Sequence, residues 1–138
     1  MTIKELKLRA RSIGACSKIN DISTYKAMVD LMFSPQGREF CKDHFFPGIN
    51  ALRQVRHKVK DLGVYVDGGT MHITNRAKVV VAGKTNATVR AHGVDEAFIV
   101  IVMHGAKVTI DASYYAVVAV VNIGGEVKVK NDSTAIVL

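Results

Sequence analysis

The sequence predicts an α+β chain in which an N-terminal helical cap, residues 1–63, leads into a short β-solenoid (β-helix), residues 64–138, of about four coils near 19 residues each. Three observations predict it. Positions in the second half echo at a spacing of 19: Ala97, Ala116 and Ala135 share one position, Val89, Val108 and Val127 another, and Gly105 and Gly124 a third. β-Branched residues recurring near every 20 residues mark a solenoid whose coils stack on one another. Up to Gly63 the apolar residues fall at helical spacing, and after it they alternate.

The elements follow in order. Leu6, Leu8, Ile13 and Cys16 lie among charged residues over 2–16, compatible with one helix that has Gly14 near its end. Asp21 or Ser23 can cap a second helix from about Thr24 to Phe33, where Tyr25, Met28, Val29, Leu31, Met32 and Phe33 supply a broad apolar face. Ser34 followed by Pro35 is an N-cap and first-turn signal for a short third helix that contains Phe40 and Cys41 and ends near His44. Pro47 punctuates the chain. A last helix, about Ile49 to Leu62, sets Ile49, Leu52, Val55, Val59 and Leu62 at helical spacing and stops at Gly63. Its exposed side carries Arg53, Arg56, His57, Lys58 and Lys60.

GVYVDGGTMHIT then gives a short strand, a turn at Gly68 and Gly69, and the first amphipathic strand. Two kinds of strand alternate from there. Segments 71–74, 88–92, 107–111 and 126–130 have apolar residues on one face and polar residues on the other. Segments 79–82, 98–102, 117–121 and 135–138 are apolar on both faces and need two covers. The coil interior supplies one cover. The other must be the helices, another subunit, or both, because an exposed Val/Ile/Phe face would far exceed the patch that soluble monomers tolerate. The expected contact is a homo-oligomer interface of Phe98, Val100, Val102, Val118, Val120 and Val137. On the polar strands, His72, Arg90, Thr109 and Lys128 are expected to stack in one ladder and Thr74, His92, Asp111 and Lys130 in the next.

Charge is uneven along the chain. Residues 1–63 hold 12 Lys and Arg against 6 Asp and Glu, whereas residues 64–138 hold 7 against 6. A basic half suits an anionic partner, nucleic acid or an acidic protein, and the anion-binding candidates are Arg53, Arg56, Lys58 and Lys60. No apolar run is long enough to span a bilayer, and the charged start lacks the apolar core of a signal peptide, so no membrane partner is expected and the expected location is cytoplasmic. Cys16 and Cys41 lack a CxxC pattern and read as inert thiols.

Signals for chemistry are sparse. No phosphate-binding glycine loop, zinc-protease motif or nucleophile elbow is present, so no catalytic residue, no metal and no cofactor is expected. Cys41 and His44 lie i and i+3 on the third helix, where a position at the edge of the core explains both. His92 and His104 each precede a glycine at a turn, and nothing gathers Asp67, Asp95, Glu96 and Asp111 into a carboxylate pair.

The run SPQGREFCKDHFFPGINALRQ, then GVYVDGG, MHGAKVTIDAS and AVVAVV, resembles a family of small uncharacterised proteins encoded by gut-bacterial genomes, their mobile elements and phages. The likeness covers most of the chain. Its FC-x-x-H-x-FP motif, here Phe40, Cys41, His44, Phe46 and Pro47, precedes a short β-solenoid, and the resemblance implies a phage or mobile-element setting while carrying over no functional residue. A more distant likeness is to bactofilins, polymerising β-helix proteins of the bacterial cytoskeleton. The expectation is therefore a non-enzymatic, oligomeric binding or scaffold protein. The alternative is a basic nucleic-acid-binding protein that uses the helical cap.

Overall fold

Three hydroxyl side chains start the first three helices, in a computed structural model that describes residues 2–15 and 17–138. Thr2 caps α1 (Ile3–Ser12), accepting from the Glu5 N–H. Thr24 caps α2 (Tyr25–Phe33), in place of the expected Asp21 or Ser23, because its own hydroxyl reaches the Ala27 N–H at 3.1 Å. Ser34 caps α3 (Pro35–His44) with Pro35 in the first turn, and it also donates to the Leu31 carbonyl at 2.6 Å. The first helix is shorter than expected. It stops at Ser12, Gly14 follows at φ 97, and a 3-10 turn occupies Ser17–Asp21; Cys16 lies outside the described residues.

After α3 the chain turns at Phe45 and Pro47 into α4 (Ile49–Val59), whose last expected turn, Lys60–Leu62, tightens to 3-10 before Gly63. Nine strands follow: β1 (Val64–Val66), β2 (Gly69–Thr74), β3 (Lys78–Ala82), β4 (Thr85–His92), β5 (Ala97–Met103), β6 (Lys107–Ser113), β7 (Val117–Ile123), β8 (Glu126–Asn131) and β9 (Ile136–Val137). They make two parallel sheets, in the order β1-β3-β5-β7-β9 and β2-β4-β6-β8. This is a two-sheet β-solenoid of about four coils behind a helical cap.

The coil length is not constant. Strand pairing steps by 16 residues from β1 to β3 and from β2 to β4, since Val64 pairs with Val80 and Gly69 with Thr85. The step is then 21 for β3 to β5 and β4 to β6, 20 for β5 to β7, and 19 for β6 to β8 and β7 to β9. The echo at 19 is therefore true register only late in the chain. Val108 does pair with Val127, but Val89 pairs with Ile110 and Ala97 with Val117. The outer ladders shift accordingly, to His72, Thr88, Thr109 and Lys128, and to Thr74, Arg90, Asp111 and Lys130.

Two cores share the five-stranded sheet. Between the sheets, Val79, Val81, Phe98, Val100, Val102 and Val118 meet Ala87, Val89, Val108 and Ile110. On the outer face, Val64, Val80, Ile101, Met103 and Ile123 meet Leu6, Met28, Phe33, Leu52 and Val55 of the helices. Helix α4 packs on β1 and α3 reaches β7. Among the described residues no helix is long and apolar enough to cross a membrane.

Candidate functional site

The six residues expected at an oligomer interface lie in the solenoid interior. Phe98, Val100, Val102 and Val118 are buried between the sheets, and Val120 and Val137 are half-buried against the same cluster. The parity of the strands is the reason. In β5, Phe98, Val100 and Val102 alternate with Ile99, Ile101 and Met103, and both rows are apolar, so alternation alone does not say which row faces in. The helices cover the second row, which makes the cap, in the same chain, the cover that the apolar sheet requires.

That cover is incomplete. On β7, Ile123 is buried beneath the helical layer, whereas Val117 at the other end of the same strand is 39% exposed. Beside Val117 in the register stands Ile136, 56% exposed, and Leu138 beyond it is 73% exposed. The last polar strand is open as well. Val129 continues the inward row of Ile110 yet is 47% exposed, and among the described residues no strand pairs with the outer edge of β8. An apolar fringe and an unpaired edge thus coincide on the last coil.

The four expected anion-binding residues do not act together. Arg53 donates from Nε to Asp67 at 2.7 Å and from a terminal nitrogen at 3.3 Å. Asp67 also accepts from the Lys84 N–H at 2.8 Å, and the Arg53 guanidinium together with that N–H holds its carboxyl below the usual carboxylate range. Lys58 lies over the Tyr25 ring, 5.3 Å from its centroid. Arg56 and Lys60 remain, and both line a cleft against the first coil. Among the described residues neither has a carboxylate within 4 Å.

Chemical candidates are dispersed. Burial pushes the Cys41 thiol up to about 12, so it is a protonated core residue, while His44 is exposed and its ring lies tilted against Phe40, 4.6 Å between centroids. His104, at φ 53, donates from Nε2 to the Pro47 carbonyl at 2.7 Å and so ties a solenoid corner to the loop before α4. Asp111 pairs with Arg90 at 3.5 Å, and Asp95 and Glu96 stand exposed in the corner after β4. Among the described residues no group of three or more His, Cys, Asp or Glu could hold a metal ion.

One feature of the surface escapes sequence reading. Tyr114 and Tyr115 are both left-handed, at φ 53 and 63, and both are exposed. Their N–H groups donate to Asp132 and Thr134 of the next coil, and the Tyr114 ring meets His92 edge-on. Tyrosine is an unusual occupant of this conformation, and only the partners eighteen and nineteen residues on account for it. No protein-family model, curated protein or solved structure matches the chain.

Proposed function

We propose that the protein is a non-enzymatic scaffold or binding module that works as a homo-oligomer, with its contact on the open last coil. The observation that carries this reading is the coincidence of Val117, Val129, Ile136 and Leu138, all exposed, with the unpaired edge of β8. Exposed apolar side chains beside free strand N–H and C=O groups are a template for another strand. The edge is also self-complementary. When two β8 strands run antiparallel with Val127 opposite its copy, Glu126 of each faces Lys128 of the other, a favourable cross-strand pair made twice. At the other end β1 is overlaid by α4 and the 3-10 turn at Lys60–Leu62, and β2, whose outer edge is also unpaired among the described residues, keeps its large apolar side chains Met71 and Ile73 half-buried and buried.

A scaffold role also suits side chains that are engaged in holding the fold, such as Asp67 with Arg53 and His104 with Pro47. A phage or mobile-element setting is part of the proposal and rests on the resemblance carried by residues 34–54. Nucleic-acid binding along the whole basic helix is the poorer fit, since Arg53 and Lys58 already have partners.

Light scattering on the full chain at micromolar concentration tests the proposal. The wild type is expected as a dimer or larger, and Val129→Lys with Ile136→Lys as a monomer with unchanged circular dichroism. A monodisperse wild-type monomer would overturn the reading.

A further inference from the structure

The cleft beside the end of α4 has a charge that the rest of the fold leaves unbalanced. It is an open cleft of about 240 Å³, with the exposed Arg56, His57 and Lys60 on the helical side and Tyr65, Gly68 and Met71 on the side of the first coil. Asp67 is the carboxylate on its wall, and Arg53 together with the Lys84 N–H already engages it. Arg56 and Lys60 stand four residues apart on one helical face, where two like charges repel. Neither is offset by a carboxylate within 4 Å among the described residues. The Arg56 Nε donates to His57 Nε2 at 3.4 Å, and among the described residues no carboxylate engages its two terminal nitrogens.

The other half of the cleft is of a different character. Tyr65 and Met71 are half-buried at the upper mouth of the solenoid, packed against its interior core. They form an apolar floor beside the two cations. A cleft of this size, slightly below the range of ordinary small-molecule pockets, holds a compact group with one anionic end and one planar or apolar end.

We propose that this cleft binds a phosphate monoester of about mononucleotide size, with the phosphate between Arg56 and Lys60 and the organic group over Tyr65 and Met71. A guanidinium presents two parallel donors to a phosphate and the ammonium supplies a second charge, which together favour a dianionic, tetrahedral oxyanion over a carboxylate. The same chemistry is available from a free metabolite or from the phosphorylated end of a nucleic acid. Both sources present the same terminal group.

Calorimetric titration of the full chain at low salt tests the site. Adenosine 5′-monophosphate is expected to bind saturably and adenosine is not. Arg56→Gln and Lys60→Gln are each expected to weaken binding by about tenfold or more, the scale of one charge-assisted hydrogen bond. Lys58→Gln, which lies outside the cleft, should leave it unchanged, and thermal melts of all three variants check the fold. A single-stranded oligonucleotide carrying a 5′-phosphate, compared with its 5′-hydroxyl form, separates the sources: preference for the phosphorylated strand with no binding of the mononucleotide assigns the site to nucleic-acid ends. The proposal is overturned if neither ligand binds, if adenosine binds as well as its phosphate, if the two oligonucleotides bind alike without the mononucleotide, or if Lys58→Gln weakens binding as much as Lys60→Gln.

Discussion

Asp67 shows how much one side chain can organise. It sits at φ 52 in the corner after β1, joins α4 through Arg53, and accepts from the Lys84 backbone one coil on. Its carboxyl is held below the ordinary value, so its stabilising effect is fully present above the unfolded-state value, near pH 4, and is lost as pH falls through the lower folded value. Asp67→Asn should therefore lower the melting temperature at neutral pH and flatten the acid limb below about pH 4, as read from melts across pH. Tyr115 gives a second residue-scale prediction. At φ 63, a change to Val places a β-branched residue in the left-handed region and is expected to cost about 1 kcal/mol, whereas Tyr115→Gly relieves the strain and keeps or raises stability in denaturant melts. Neither corner was legible in the sequence, because what makes each conformation tenable is a partner seventeen or nineteen residues away.

At the scale of elements, the sequence discloses kind better than orientation. Ser34–Pro35, the break at Gly63 and the two strand types locate α3, the cap boundary and eight of the strands, since each signal is local. Which row of β5 faces inward depends on where the helices land, and two equally apolar rows leave that open. The same limit applies to the basic helix: Arg53 is removed from any binding strip by a carboxylate in a corner fourteen residues on. Two substitutions probe the resulting packing. Val118→Lys places a charge in the fully buried interior and is expected to abolish cooperative unfolding, where the same change at exposed Val129 preserves it. Gly37→Ala would set a methyl against the Leu31 backbone carbonyl at the α2–α3 corner, so it should cost about 1–3 kcal/mol and loosen α3 first.

The whole molecule is a one-dimensional stack with a lid along one side. Interior strands β3 and β5 have a partner on each edge and a core on each face, while β8 has neither a second strand partner nor full burial. Amide exchange should therefore be slowest in β3 and β5 and fastest in β8 and β9, measured by mass spectrometry on dilute protein. Concentrating the protein should slow exchange in β8 if copies join at that edge, and should leave β3 unaffected. A flat response in β8 would argue against the contact.

The uneven coil lengths carry a practical consequence. From β3 to β4, from β5 to β6 and from β7 to β8 the chain bends through short corners that hold Gly83, Gly105 and Gly124. Nearly all variation falls on the opposite side, where three residues, Asn75 to Ala77, suffice after β2 but four, Gly93 to Glu96, follow a longer β4. One side works as a hinge of set width and the other as slack in the thread. A peptide spliced between Val94, which is 71% exposed, and Asp95 would lengthen that slack without moving a strand, making this corner a ready place to display foreign sequence on a rigid support.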